Sequence, residues 1–395
     1  MTILTWAPNK LIIFAIANGL VAQFAMDIYI PAMPAIAKAL HTTIDYIQLS
    51  YFYFMLGFGL SVFLYGFLNK IINYRYIFLI CNGVFLIATL LIIFSADMVY
   101  FLALRFLQGM GAGFGSMAII ITIIYLFFPP RKLGIIISYS VFFLTLANIL
   151  APAIGGYLQE LYGWQSSFIF LFILSFLLLT SGYCFLPKII TPPKVKISFY
   201  SKVKNLLANQ QYITHAIYAI ICVNIIVCYL VMSSFILQMH LGASIKVSGA
   251  IASLISLLFS MGSLLNTFML SRYLLKTTIF SGLIISFLGI ATFLIAGYFT
   301  GTSIFAFIIP IFISSLGLGI LYPNFVTCGF KDFTGFIIDG TSLLSLMKIF
   351  TICLITAFIA FIPDNFLTCA LLTGFLFSLL LVLILILNRE YLVNY

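Results

Sequence analysis

Apolar residues along this chain gather into twelve long runs, each separated from the next by charge, proline or glycine. A helix of about 20 apolar residues covers the hydrocarbon core of a bilayer. The runs therefore predict transmembrane helices over roughly 11–31, 47–68, 76–95, 99–127, 134–157, 165–186, 211–238, 247–270, 278–299, 303–325, 337–361 and 366–388. The longest interruption, 187–210, holds Pro187, Pro192 and Pro193 with Lys188, Lys194, Lys196, Lys202 and Lys204. It divides the spans six and six, giving an N-terminal half over 1–187, a basic linker over 188–210 and a C-terminal half over 211–395. The first run has one lysine before it and no small-residue cleavage site, so it reads as a retained first helix.

Composition makes lipid the solvent. Of the 395 residues, 64% are hydrophobic and 7% charged, whereas a soluble domain carries about 25% charged residues. The net charge of +10 would suit an acidic polymer unless the basic residues have another reason to be where they are. They have one. With the N-terminus inside, fourteen of the eighteen fall in loops or ends on the cytoplasmic side, among them Lys10, Lys70, Arg75, Arg131, Lys132, Arg272, Lys276, Lys331 and Arg389. Such retention of Lys and Arg orients a span, so no nucleic-acid partner is expected. An even number of spans then places both termini in the cytoplasm of a bacterial-type inner membrane. Seven cysteines without a C-x-x-C pair indicate neither a disulfide framework nor a metal site.

Lys38 and Lys246 fall in outer loops, and the last two basic residues, Arg105 and Lys348, lie inside predicted spans with the acidic Asp27. An ionised side chain in a spanning helix costs at least about 2.5 kcal/mol, so such residues face a cavity or a partner. Asp27 is near the outer end of the outward-running first span, and Arg105 lies early in the inward-running fourth. Similar depth allows two readings, an ion pair that locks the bundle or a relay for protons or substrate. Lys348 lies about 16 Å along the eleventh span at 1.5 Å per residue, too deep to snorkel. It either bonds neighbouring polar groups or meets an anionic group of a solute.

The surroundings of these residues carry a resemblance. Asp27 opens D-I-Y-I-P-A-M-P, through Tyr29, Pro31 and Pro34, and Arg105 stands in R-F-L-Q-G-M-G-A-G with Gln108 and Gly109. Both stretches resemble motifs of the major facilitator superfamily, more closely its Bcr/CflA group of drug-resistance proton antiporters. In the fifth span, Ala147 and Ala151 stand where the antiporter motif has glycines, followed by matching Pro152, Gly155 and Gly156. Gly163, Trp164 and Phe168 resemble the start of the family's sixth helix, with Gln165 in place of arginine. The signature between the second and third helices is reduced to Gly66 and Arg75, and its acidic position is Lys70.

The resemblance implies an all-α polytopic protein of twelve helices in two six-helix halves, each built of inverted three-helix repeats that rock about a central site. It implies a monomer that needs no cofactor beyond a proton gradient. Asp27 is then the proton carrier and Arg105 sets its affinity, while Gln108, Gly109, Pro152, Gly155, Gly156, Gly66 and Arg75 govern packing and conformation. Pro152 and Pro323 each remove a helical hydrogen bond and mark bend points. A solute would meet Lys348, Gln23, Asn148 and Asn224, with Tyr29, Tyr53 and Tyr322 as aromatic contacts. Arg105 and Lys348 against one Asp27 favour a carboxylate-bearing solute, a citrate-type siderophore or organic acid being one fit. Proton-coupled export of a small organic compound is the leading expectation, and uptake or export of an anionic metabolite the alternative. A transport-dead sensor is a third. An intramembrane enzyme would need H-E-x-x-H, G-x-S-x-G or a comparable constellation, and a channel a filter loop or charge ring, none of which the sequence offers.

Overall fold

The computed structural model describes residues 8–68, 72–114, 130–186, 206–299, 303–329, 337–363 and 365–387. Among them are twelve long helices: α1 (Pro8–Asp27), α2 (Ile44–Leu68), α3 (Tyr74–Ile93), α4 (Met98–Gly113), α5 (Pro130–Tyr162), α6 (Gln165–Phe185), α7 (Gln210–Phe235), α8 (Ile245–Leu270), α9 (Leu275–Phe299), α10 (Ile304–Gly329), α11 (Ile337–Ile359) and α12 (Phe366–Leu387). Eight of these, over their described residues, are long and apolar enough to cross a membrane. The helix is the form in which an apolar segment satisfies its own backbone in lipid.

The first span departs from its predicted extent. α1 stops at Asp27, and a 3-10 turn (Ile30–Ala32) leads into a short helix (Met33–Ala39). Pro31 has no N–H to offer the carbonyl of Asp27, so the ladder ends there. α5 extends beyond its apolar run at both ends, through the polar Gln159 and Glu160. Helix starts carry side-chain caps: Asn73 accepts from Arg75 N at 3.0 Å, Asp97 from Tyr100 N at 3.0 Å and Asn209 from Tyr212 N at 2.8 Å. Gly163, at φ 81°, ends α5 in the left-handed region that residues other than glycine avoid.

The chain forms two compact units, Met1–Lys196 and Ile197–Tyr395. The predicted linker falls almost wholly outside the described residues, as does Lys70. Inside the first unit α5 packs with α6, and six further packed pairs are α2 with α4, α3 with α4, α3 with α6, α1 with α5, α1 with α6 and α1 with α4. Adding six to each number in those six gives pairs that the second unit also packs: α8 with α10, α9 with α10, α9 with α12, α7 with α11, α7 with α12 and α7 with α10. Within either unit, exchanging the first three helices for the last three maps these pairs onto themselves. Each unit is thus a pair of three-helix repeats.

The tightest crossings share one device. A Cβ on Gly57 would run into the Phe106 carbonyl, and one on Gly109 into the Phe54 carbonyl, so α2 and α4 meet backbone to backbone. In the second unit Gly262 faces the Leu316 carbonyl and Gly319 the Phe259 carbonyl in the same way. Gly155 of α5 is pressed on the carbonyl of Ile28, just past the end of α1.

Candidate functional site

Within the first unit, five elements converge on Arg105. α4 carries it into the interior with no exposed surface. Nη1 donates to the carbonyl of Ala25 at 3.3 Å and to Oε1 of Gln108, three residues along the same helix. Gln108 Nε2 donates in turn to Thr89 Oγ1 on α3 at 2.8 Å, and that hydroxyl to the Phe85 carbonyl at 2.6 Å. The guanidinium lies between two rings, with Cζ 4.1 Å from the Tyr29 centroid and 4.3 Å from that of Phe54. Each ring contributes on the order of 1 kcal/mol when the cation is desolvated. The rings cover its faces and leave its edge donors unsatisfied. Nε and Nη2 are buried and have no hydrogen-bond partner among the described residues.

Asp27, the last residue of α1, is the only buried acidic side chain among the described residues. Its carboxyl accepts from the Tyr51 hydroxyl of α2. Tyr29 in the following turn is fully buried, with its hydroxyl 3.0 Å from Ser50 Oγ. One turn of α2 therefore serves all three groups: Ser50 holds Tyr29, Tyr51 holds Asp27 and Phe54 backs Arg105. The ion pair that similar depth allowed between Asp27 and Arg105 is not formed here, since each group is committed to other partners. An aromatic wall closes over Tyr29, with Phe168 at 6.0 Å from its ring and Trp164 and Phe101 packed edge-on against Phe168 at 6.1 and 6.0 Å. The residues that mark the start of α6 in the sequence, Trp164 and Phe168, thus build the lid of this cluster.

The other expected residues of this unit are more scattered. Gln23 is half-buried one turn before Asp27, and half-buried Tyr53 has its ring against Phe52 at 5.2 Å. Asn148 on α5 has a buried Oδ1 with no partner among the described residues. Pro152 lies buried inside α5, one turn before the buried Gly155 and Gly156. Gly66 is in the last turns of α2, and its surroundings fall outside the described residues. Arg75 opens α3 and donates from Nη1 to the Leu186 carbonyl and from Nη2 to that of Tyr183, both at 2.6 Å. It thereby caps the C-terminal end of α6, where helical carbonyls lack partners.

In the second unit, Asn224 is buried on α7 with Oδ1 unpartnered among the described residues. Tyr322 on α10 is half-buried with its ring 5.9 Å from Phe259, and Lys348 is half-buried on α11. No hydrogen bond joins these three to one another among the described residues. The sequence reading passed over Ser50, Tyr51, Phe54 and Thr89. Hydroxyl and aromatic residues inside an apolar run carry no signal of the kind an ionised one does.

The model of a family described as the Major Facilitator Superfamily matches residues 15–338. The chain is 28% identical over 154 residues to the multidrug resistance protein D of Escherichia coli K12, covering 39% of each chain. It is 26% identical over 152 residues to a chloramphenicol resistance protein of Pseudomonas aeruginosa, covering 38% of this chain and 36% of that one. The matched stretches thus span less than half the length of these curated relatives. Among solved structures, the xylose transporter XylE from E. coli, in a partially occluded inward-open conformation, superposes with a TM-score of 0.72 at 11% identity, covering 95% of this chain and 98% of that one. At that identity the likeness speaks for the fold.

Proposed function

The chain belongs to the Major Facilitator Superfamily, and on that premise we propose that it is a proton-coupled secondary transporter that exports a small organic solute. As a member of that family with long apolar helices, it is an integral membrane protein. The observation that carries the proposal is the carboxyl of Asp27, buried in the same cluster as a buried guanidinium with its donors partly open. A carboxyl held in such a place exchanges a proton only when the surroundings change, which is what coupling to alternating access requires. Asp27 takes a proton from the outer side and releases it inward as the solute leaves, and Arg105 sets its affinity. Relatives named for multidrug and chloramphenicol resistance support export of drug-like compounds, as in the Bcr/CflA group.

A second reading rests on Lys348. It is half-buried within α11, well inside the helix. Together with Arg105 it favours a carboxylate-bearing solute, a siderophore or organic acid, exported or taken up. The orientation that fits the distribution of basic residues has both termini in the cytoplasm, and the protein acts as a monomer in the inner membrane. Replacing Asp27 by Asn in reconstituted vesicles tests the coupling. Gradient-driven transport is expected to be abolished, and undiminished transport would sink the proposal.

A further inference from the structure

Arg105 uses Nη1 for its two hydrogen bonds and leaves Nε and Nη2 open. Those two N–H groups lie along one edge of the guanidinium and form the fork that fits a carboxylate bidentately. A buried carboxyl belongs to the same cluster. Asp27 is two residues beyond Ala25, whose carbonyl Arg105 already holds. Tyr29 and Tyr51 neighbour both groups, and Tyr51 is the one bonded to Asp27. Among the described residues, the titratable groups that interact with Asp27 are Tyr29 from the turn after α1 and Tyr51 from α2, and Arg105 from α4 interacts with both tyrosines.

The packing supplies a way to exchange partners. Tyr51 and Arg105 ride on α2 and α4, which Gly57 and Gly109 join backbone to backbone. Asp27 rides on the end of α1, which Gly155 clamps to α5 through Ile28. A small slide of the α1–α5 pair along the α2–α4 pair would carry the Asp27 carboxyl from one partner to the other.

We propose that Tyr51 is a positioning residue for proton coupling: its hydroxyl holds the protonated Asp27 carboxyl away from the open edge of Arg105, which receives the carboxylate once the proton has left. The proton passes from Asp27 to water on the side to which the site is open, and Tyr51 keeps its own. The proposal rests on Asp27 being the proton carrier, and the test separates the two.

Purified full-length protein is titrated in lipid while the infrared band of protonated carboxyl groups is followed, with Asp27→Asn identifying the Asp27 contribution. In Tyr51→Phe the Asp27 band moves to higher frequency, because its carbonyl loses a hydrogen-bond partner, and its titration midpoint is displaced by about one pH unit, a tenfold change in proton affinity. Gly83→Ala, on α3 where a methyl group meets nothing within 4 Å, leaves the band in place. In the unaltered chain carrying ring-deuterated tyrosine, a tyrosine C–O band shifts at the Asp27 midpoint, a readout that needs no variant to fold. An unmoved Asp27 band in Tyr51→Phe, or a tyrosine band silent across the titration, overturns the role of Tyr51 and leaves Asp27 as carrier. Absence of any Asp27 band overturns the reading of Asp27 itself.

Discussion

Gln108 reaches from Arg105 on its own helix to Thr89 on α3, so it ties a buried cation to a neighbouring helix. A hydrogen bond to a charged group contributes about 1.5–3 kcal/mol and a neutral one about 1 kcal/mol. Gln108→Leu is therefore expected to lower the melting temperature of the purified protein clearly more than Thr89→Val, which removes only the outer link. Equal effects would mean that Arg105 does not depend on this bond. Asp27, Tyr29, Arg105 and Gln108 were legible in the sequence because ionised and amide side chains stand out in an apolar run, and because their spacing matched motifs. Tyr51 and Ser50 were not, since their significance comes from one turn of α2 facing the end of α1. Arg75 was recognised as a motif remnant, but its two bonds to the end of α6 depend on a contact 108 and 111 residues away in the chain.

Helix boundaries departed from the apolar runs at α1, where Pro31 rather than polarity sets the end, and at α5, which runs past its apolar stretch at both ends. α10 contains Pro310 as well as Pro323, and only the second stood out in the sequence. Helix crossings were partly legible: the glycines of α4 announced close packing, while the matching use of Gly262 and Gly319 emerged from the fold. Two substitutions in the first unit separate packing from propensity. Gly109→Ala places a methyl group against the backbone of Phe54 and is expected to cost about 1–3 kcal/mol through overpacking. Gly83→Ala on α3 meets nothing within 4 Å and is expected to be neutral or to gain about 0.5–1 kcal/mol from helix propensity. Thermal melts in detergent compare the two, and similar melts would contradict the close α2–α4 crossing.

The two units repeat one packing scheme, while the proline- and lysine-rich break that suggests six and six helices in the sequence lies almost wholly outside the described residues. Which way the spans point follows from the basic residues, and Cys184 offers a direct check. It is the one exposed cysteine among the described residues and lies near the end of α6, which on this orientation is the cytoplasmic end. A membrane-impermeant maleimide is expected to label it in inside-out vesicles and to leave it unlabelled in intact cells; the reverse would invert the topology. The central claim is transport driven by protons through Asp27. Its most direct test is uptake of chloramphenicol and of citrate, as neutral and anionic probes, into proteoliposomes under a pH gradient imposed in either direction. Transport of at least one probe that reverses with the gradient, and that Asp27→Asn abolishes, is the predicted result. Transport indifferent to the gradient, or unchanged in Asp27→Asn, would contradict it.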